Sequence, residues 1–410
     1  MATKNITMKI KLALIFGGKS AEHDISVISA LQAFRHIDKS KYEVFPIYVT
    51  KDSEMFYGED TGKIEAYRDI SSLLERSDRV FLGRSMGRVV LMREKRALFG
   101  SPVITELDVA LPVVHGTNVE DGSIQGYLQS LSLPYCGCDI LSSAVGMDKY
   151  VTKTVLREAG IPVLDCVRAT LSEYSSSPEA VASAVEEKIG YPVIVKPINC
   201  GSSIGITKAE NRQELEEALE VAFNYSDRML AERAITSLRE INCSVLGDPD
   251  LAEASECEEP VSTDKILSFN DKYVGGAKGG AAKGDADQKG MASLKRMIPA
   301  PITEEQRDYI RRTAVDAFKA LGCTGVARID FLLDSSTGEI FFNEINTIPG
   351  SLSFYLWEPM GVKYTALLDR LVSLALKRER LNRSLTFSFE SSVLSNADFS
   401  GAKGAKGAKS

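Results

Sequence analysis

The stretch from Gly325 to Ser351 constrains the fold of this chain more than any other part. It reads GVARIDFLLDSSTGEIFFNEINTIPGS, in which two runs rich in Ile, Phe and Leu flank the polar segment Asp334–Gly338. Apolar runs of this kind, separated by turn residues, are typical of two strands joined by a short loop. We therefore predict a strand, a turn and a second strand.

Polar side chains recur at every second position in parts of both predicted strands. Because side chains alternate between the two faces of a strand, Arg328 and Asp330 share one face of the first strand. Glu344 and Asn346 likewise share one face of the second. If Asp330 pairs with Glu344, all four polar groups converge on a single face. The apolar pairs on the opposite face would then be Ile329 with Ile345 and Leu333 with Phe341.

These four side chains favour a metal site. Carboxylate and amide oxygens suit Mg²⁺, which usually takes one or two protein carboxylates and completes its shell with water and nucleotide phosphates. The alternative is a solvated salt-bridge face on an amphipathic hairpin, and for one Asp and one Glu alone that would be the better interpretation. Four functional groups in register, followed by the segment 346–350 (NTIPG), favour the metal.

The composition excludes some classes of protein. A length of 410 residues predicts two or three domains. The net charge of −7 gives no indication of nucleic acid or an anionic membrane as a partner. Seven scattered cysteines without a Cys-x-x-Cys pair indicate reduced thiols in a cytosol. No segment approaches the roughly 18 apolar residues of a membrane helix, so we expect a cytoplasmic protein.

Two loops that follow predicted strands resemble ligand sites. The loop 17–24, GGKSAEHD, leads from a buried strand into a helix, which is a common cradle for an anion or a substrate. Glu22 in this loop is equally well explained as compensation of the helix dipole. His115 and Glu120 follow the strand predicted at Asp108–Val114, at the end where α/β sheets bind ligands. A histidine that caps a neighbouring helix is the alternative.

A third loop has the composition of a phosphate site. Lys196 lies in the predicted strand Tyr191–Pro197, where a lysine is costly to bury without an anionic partner. The following loop, 199–205 (NCGSSIG), supplies glycines and hydroxyl groups. With Lys149 and Lys196 adding charge, the loop predicts phosphate binding. The low-complexity segment Gly275–Gly290 predicts a mobile loop of the kind that often covers an active site.

Taken together, these segments closely resemble the D-alanine–D-alanine ligase family of ATP-grasp enzymes. They cover Lys11 to about Leu376 in family order. The matching segments are FGGKSAEHDIS (16–26), HGTNVEDGSIQG (115–126), MDKYVTK (147–153), YPVIVKPINCGSSIG (191–205), DKY (271–273), ARIDFLLD (327–334) and NEINTIPG (343–350).

The resemblance implies an α/β (α+β) three-domain ATP-grasp fold. Residues 1–137 would form a Rossmann-like N-terminal substrate domain, 138–237 a central subdomain and 238–385 a C-terminal subdomain. ATP would be bound between the central and C-terminal parts. The C-terminal part would carry a mobile lid loop at 270–293, and 386–410 would be a disordered tail. We expect a homodimer that acts on small molecules.

The resemblance also implies the activity, which is ATP-dependent joining of two D-alanines for peptidoglycan synthesis through an acyl phosphate. Glu22 would hold the ammonium group of the first substrate, with His115 beside it. Residues that close or support the lid would be Ser202, Tyr273 and Glu120. Groups that stabilise the oxyanion would be Arg328 and the backbone amide of Gly350.

ATP and metal ligands follow from the same resemblance. The residues that contact ATP would be Lys149, Lys196, Ser203, Glu232, Arg233, Ile235, Glu240 and Lys272, with the lysines at the phosphates, Glu232 at adenine and Glu240 at ribose. Two Mg²⁺ or Mn²⁺ ions would be held by Asp330, Glu344 and Asn346. The second substrate would meet the region of Tyr355 and Leu356.

One departure leaves the second substrate open. Tyr355 stands where many relatives carry a small hydroxyl residue. A sister ligase that adds D-serine or D-lactate is therefore the first alternative. A catalytically silent nucleotide-binding protein is the second, although such a protein should have lost part of the polar set on the hairpin.

Overall fold

The computed structural model describes residues 8–95, 101–201, 203–261 and 296–387. The whole predicted lid loop 270–293, which contains the segment 275–290, and all but the first two residues of the predicted tail 386–410 lie outside these ranges. Three sheets organise the described chain, with strand orders β6-β5-β4-β3-β2-β1-β7, β10-β9-β11-β8 and β14-β13-β12-β15-β16. The α/β class expected from the sequence is confirmed.

The first sheet combines a parallel core with an antiparallel extension. Its strands are β1 (Ile10–Gly17), β2 (Tyr42–Val49), β3 (Met55–Tyr57), β4 (Asp78–Ser85), β5 (Arg88–Arg93), β6 (Val103–Glu106) and β7 (Val109–Val113). β1 runs parallel to β2 and β7, and its interior is uniformly apolar because helices cover the sheet. The accompanying helices are α1 (His23–His36), α2 (Ile70–Glu75) and α3 (Ser123–Ser130).

The second sheet is antiparallel. Two helices, α4 (Ile140–Met147) and α5 (Lys149–Glu158), precede it in the chain and pack against the third sheet. The strands of the second sheet are β8 (Cys166–Thr170), β9 (Val193–Pro197), β10 (Thr207–Ala209) and β11 (Arg228–Arg233), and its helices are α6 (Leu171–Ser176), α7 (Pro178–Lys188) and α8 (Arg212–Phe223). α4 ends and α5 begins at Asp148, whose carboxylate accepts hydrogen bonds from the amides of Tyr150 and Val151. Asp148 thus ends one helix and caps the next, which places Lys149 in the first turn of α5.

The third sheet carries the hairpin. Its strands are β12 (Leu238–Gly247), β13 (Ala252–Pro260), β14 (Arg296–Met297), β15 (Gly325–Asp334) and β16 (Ile340–Asn346), and its helices are α9 (Glu304–Ala320) and α10 (Tyr364–Arg383). Two 3₁₀ segments, Gly350–Leu356 and Glu358–Met360, connect β16 to α10. The buried leucines of α10 pack against the core of the first sheet, so the last described helix contacts the N-terminal part of the chain.

The predicted hairpin register is correct near the polar groups and wrong beyond them. Arg328 pairs with Asn346 and Asp330 with Glu344. A β-bulge after Asp330 then shifts the register, and Leu333 lies opposite Ile340 instead of Phe341. The extra residue on β16 is Asn343, because Phe331 already pairs with Phe342. In the part of the chain that the structure describes, no helix is long and apolar enough to span a membrane.

Candidate active site

The four hairpin side chains converge as the alternation pattern predicts. The guanidinium of Arg328 donates two hydrogen bonds to the carboxylate of Asp330, at 2.7 and 2.8 Å. Asn346 Nδ2 donates to the same carboxylate at 3.1 Å. Burial works against the charge of Arg328, but the Asp330 carboxylate outweighs it and holds the pKa of Arg328 well above its usual value. Both partners of this ion pair are buried.

This face fits a hard divalent cation. Two carboxylates and one amide offer oxygen ligands, and each carboxylate oxygen can accept more than one contact. No cluster of three or more His, Cys, Asp or Glu residues suited to a metal occurs within the four described ranges. Mg²⁺ that is bound together with a nucleotide takes one or two protein carboxylates and completes its shell with water and phosphate oxygens.

A small cleft opens beside this face. Its lining includes Glu22, His115, Glu120, Lys149, Arg328, Glu344, Asn346 and Gly350. Lys149 extends from the first turn of α5, where its Nζ donates to the backbone oxygen of Cys200 at 2.7 Å and lies 3.3 Å from Glu344 Oε2. Residues from all three sheets or their loops thus meet in one place.

The carboxylate of Glu22 requires glycine on two sides. A Cβ atom placed at Gly201 would lie 2.9 Å from Glu22 Oε2, and one at Gly116 would lie 2.7 Å from the same oxygen. Side chains at these positions would displace the carboxylate or the loops, so both glycines allow the close approach. The loop that contains His115 and the loop 199–205 therefore enclose Glu22, so all three loops predicted as ligand sites meet here.

His115 belongs to a chain of hydrogen bonds between distant segments. One ring nitrogen, Nδ1, lies 2.8 Å from the backbone oxygen of Ile348, and Nε2 lies 3.0 Å from Ser29 Oγ on α1. The carbonyl can only accept, so Nδ1 carries the proton and Nε2 accepts from Ser29 in the neutral ring. Ser29 Oγ in turn accepts from the amide of Ser351 at 3.0 Å. This chain fixes the segment around Gly350 against α1.

Glu120 makes a second connection to the same segment. Its carboxylate accepts hydrogen bonds from the amides of Gly116 at 3.0 Å and Ile348 at 2.8 Å. Burial raises the pKa of Glu120 to about 7, and the nearby charge of Glu22 adds to the effect while the two amides oppose it. Burial lowers the pKa of His115 to about 4, with the charge of Arg328 also lowering it and the bond to Ile348 opposing.

These two shifts predict an unusual dependence of stability on pH. The pKa of Glu120 is higher in the folded state than its ordinary value of 4.5, so its contribution to stability is complete below about 4.5 and is lost as pH rises to about 7. The pKa of His115 is lower in the folded state than its ordinary 6.5, so its contribution is complete above 6.5 and is lost as pH falls to about 4. Between 4.5 and 6.5 the two slopes oppose each other.

The variant Glu120→Gln removes the pH dependence of stability that comes from Glu120 and leaves the one that comes from His115. We expect its free energy of unfolding, measured by urea titration, to rise relative to wild type by about 1.4 kcal/mol per pH unit between pH 4.5 and 6.5. Parallel curves for the two proteins would contradict the assignment. A matched variant at an exposed carboxylate, Glu187→Gln, should run parallel to wild type.

A larger cleft lies between the second and third sheets. Its volume is about 360 Å³, in the range of small-molecule sites, and its lining includes Lys196, Ser203, Glu232, Arg233, Ile235, Glu240, Asp330 and Glu344. Six residues that the resemblance assigned to ATP thus share one cleft with two assigned to metal. Glu344 lines both this cleft and the smaller one, so the two meet at that residue.

The sequence analysis did not identify Lys153, a buried cation behind this cleft, as a site residue. Lys153 Nζ lies 2.5 Å from Glu232 Oε2, while Lys196 pairs with the other carboxylate oxygen and donates to Asn343 Oδ1 at 3.2 Å. Burial raises the pKa of Glu232, but the two ammonium groups outweigh it and lower that pKa to about 2. The anionic partner expected for Lys196 is confirmed. The spacing of Lys149 and Lys153 was a usable signal, since residues four apart share one helix face.

The segment expected to meet the second substrate, from Gly350 to Leu356, reaches a cleft only in part. Gly350 lines the small cleft, whereas Tyr355 and Leu356 are buried and line neither cleft. The hydroxyl of Tyr355 donates to Glu258 Oε1 at 3.3 Å, and the Arg296 guanidinium lies 3.8 Å above its ring. Ser202, Lys272 and Tyr273 lie outside the described residues.

Comparison with known proteins agrees with this geometry. Residues 11–138 match a family model described as D-ala D-ala ligase N-terminus, and residues 155–373 match one described as D-ala D-ala ligase C-terminus. A D-alanine–D-alanine ligase from Thermoanaerobacter sp. (strain X514) is 40% identical over 378 residues, which are 90% of this chain and 97% of the relative.

Two solved structures are also similar. The D-alanine-D-alanine ligase from Coxiella burnetii has a TM-score of 0.74 at 28% identity and covers 92% of this chain and 96% of its own. The VanG D-Ala:D-Ser ligase from Enterococcus faecalis has a TM-score of 0.73 at 30% identity and covers 90% of this chain and all of its own (100%). The matches span both ends of the site, from Glu22 to Gly350, and on this evidence the chain belongs to the D-alanine–D-alanine ligase family, with the ATP-grasp fold.

Proposed function

We propose that this chain is an ATP-dependent enzyme that joins two D-alanine molecules into D-alanyl-D-alanine through a D-alanyl phosphate, for peptidoglycan synthesis. One observation carries the proposal. Glu344 lines both the nucleotide-sized cleft and the small cleft that contains Glu22, so a phosphate donor and an amino acid can meet there. The curated relatives are D-alanine–D-alanine ligases, which favours this product over the D-serine and D-lactate alternatives.

The residues of the small cleft suit the first D-alanine. The Glu22 carboxylate would bind its ammonium group, and the neutral His115 would line the pocket without adding charge. Phosphorylation of the substrate carboxylate depends mainly on positioning and on neutralising negative charge. Lys149, at the junction of the two clefts, and Lys196 would supply cationic contacts to the phosphates.

The hairpin would serve the second half of the reaction. When the amine of the second D-alanine attacks the acyl phosphate, negative charge develops on the carbonyl oxygen. Arg328 and the amide of Gly350, which both line the small cleft, are the groups that would stabilise it. Asp330, Glu344 and Asn346 would hold two Mg²⁺ or Mn²⁺ ions, which would neutralise phosphate charge. Ser202, Tyr273 and Lys272 would close the site from the lid.

The larger cleft would bind ATP. Glu232 and the neighbouring backbone would contact adenine, Glu240 the ribose, and Ser203, Arg233 and Ile235 the remaining surface of the nucleotide. The mixture of charged groups with Ile194, Leu238 and Phe331 in the lining suits a flat base beside a polyphosphate. A homodimeric state, a cytoplasmic location and the domain boundaries at 137 and 237 stay predictions.

The direct test is ADP release by the purified protein. We expect release to require both D-alanine and Mg²⁺, with D-alanyl-D-alanine identified by mass spectrometry. D-Serine and D-lactate, each offered with one equivalent of D-alanine, measure the preference for the second substrate. Absence of a dipeptide from two D-alanines would refute the proposed product. Nucleotide binding without any ADP release would instead indicate the silent nucleotide-binding protein.

A further inference from the structure

A buried lysine lies directly behind the nucleotide cleft without lining it. Lys153 on α5 is 0% exposed, and its Nζ lies 2.5 Å from Glu232 Oε2. Glu232 lines the cleft, whereas Lys153 does not. Burying a charged lysine is costly unless a partner compensates, and here the partner faces the nucleotide. The position suggests that Lys153 acts on the nucleotide through Glu232.

We propose that Lys153 sets the base specificity of the cleft by holding Glu232 as a permanently ionised carboxylate. The proposal rests on the contact between Glu232 and the nucleobase in the proposed function. Lys153 is then a positioning residue, because it touches a binding residue and not the substrate. None of the roles implied by the resemblance includes it.

The chemistry of the carboxylate explains the selectivity. An ionised carboxylate only accepts hydrogen bonds, whereas a protonated one can also donate. Adenine presents an amino group at position 6, which donates to the carboxylate. Hypoxanthine and guanine present a carbonyl oxygen there, which leaves the buried carboxylate facing another acceptor. Sites built for a particular hydrogen bond discriminate strongly against a ligand that leaves their polar groups unpaired.

Lys153 is better placed for this role than Lys196. Lys196 lines the cleft, donates to Asn343 as well as pairing with Glu232, and is assigned to the phosphates in the proposed function. When ATP is bound, Lys196 is shared with the nucleotide, and Lys153 is the cation that serves Glu232 alone. Burial lowers the pKa of Lys153, and the Glu232 carboxylate opposes that shift.

Few other charges face Glu232 from the surrounding elements. β8 places Cys166 opposite Glu232, and burial raises the pKa of that thiol, which keeps it neutral. Lys188 on α7 donates to the backbone oxygen of Cys166 at 3.0 Å. Without Lys153, Lys196 would be the remaining ammonium group that pairs with Glu232, so burial would raise the pKa of Glu232.

The experiment compares ATP with inosine triphosphate, which carries a carbonyl oxygen at position 6, in the intact enzyme between pH 5.5 and 9. In wild type, the ratio of the two kcat/KM values should be constant across this range. In Lys153→Met, we expect the ratio to fall at least ten-fold at low pH and the KM for ATP to rise as pH falls. The kcat at saturating ATP should stay within a few-fold of wild type. Lys153→Arg keeps the charge and should restore the wild-type preference.

A double variant guards against misfolding of the single one. Lys153→Met with Glu232→Gln removes both members of the fully buried pair and leaves Lys196, which lines the cleft and keeps its hydrogen bond to Asn343. Because an amide can both donate and accept, this protein should show little preference between the two nucleotides and no dependence of KM on pH. If Lys153→Met keeps the wild-type ratio at every pH while the double variant loses the preference, the role of Lys153 is refuted. If the double variant also keeps the wild-type ratio, the contact of Glu232 with the base, on which the role of Lys153 depends, is refuted with it. If wild type shows no D-alanine-dependent turnover, the proposed function fails instead.

Discussion

Replacing Glu344 with alanine is expected to abolish D-alanine-dependent ADP release while the protein stays folded. Glu344 lies where the two clefts meet, beside Lys149, and it is one of two carboxylates available to a metal there. Charge stabilisation by a bound metal amounts to several kcal/mol, so turnover should fall on the order of 10³-fold or more. The side chain is 19% exposed on an outer strand, and its loss should cost little stability.

A matched control lies at the other side of the same sheet. Glu253 on β13 has a half-exposed side chain that pairs with Arg370, and neither residue lines either cleft. Glu253→Ala should retain wild-type turnover. Both variants are checked by coupled ADP assays and by thermal unfolding. Retained activity in Glu344→Ala would remove the metal assignment, because no other glutamate of the described residues lines both clefts.

The variant Arg328→Met is expected to lose both activity and stability. Loss of one group that stabilises an oxyanion typically lowers kcat by about 10²- to 10³-fold. Breaking a buried ion pair also leaves Asp330 without its main partner, which typically costs about 3–5 kcal/mol of unfolding free energy. Steady-state kinetics at saturating substrates and urea unfolding measure the two effects separately.

The control for this second effect is an arginine at the surface. Arg212 pairs with Glu186 and Glu216, and all three side chains are about a third or more exposed. Exposed pairs contribute up to about 1 kcal/mol, so Arg212→Met should be nearly neutral in both assays. An Arg328→Met protein that is as stable as Arg212→Met would show that the buried pair contributes no net stability. Unchanged kcat would exclude the role at the oxyanion.

The sequence predicted the polar end of the hairpin because alternation in a strand is a local property. The bulge at Asn343 was hidden, since Phe341 and Phe342 are adjacent apolar residues and the pattern does not show which of them faces the core. Strand β13 was missed for a related reason. Its sequence, AEASECEEP, has the glutamates of a solvated loop, but in the fold they pair with arginines from distant segments. One such contact is the bidentate pair of Glu256 with Arg307.

Site residues that lie far apart along the chain were equally hidden. The contact between Lys153 and Glu232 joins residues 79 positions apart, and that between Ser29 and Ser351 joins residues 322 apart. A serine on a helix is unremarkable by itself. The spacing of Lys149 and Lys153 predicts a shared helix face but does not identify Glu232 as the partner of Lys153. The loops with Glu22 and His115 were found because their composition and their place after a strand already indicate a ligand site.

The hydrogen bonds from Ser29 through His115 to the segment 348–351 limit which recombinants of related chains can form a complete pocket. They join the portion of the chain that matches one family model to the portion that matches the other. A recombinant that fuses the first portion of one relative to the second portion of another acquires a complete pocket only if the groups on both sides of this contact are compatible. Recombination at the connection between the two portions is therefore constrained by residues that lie far from the crossover point in sequence.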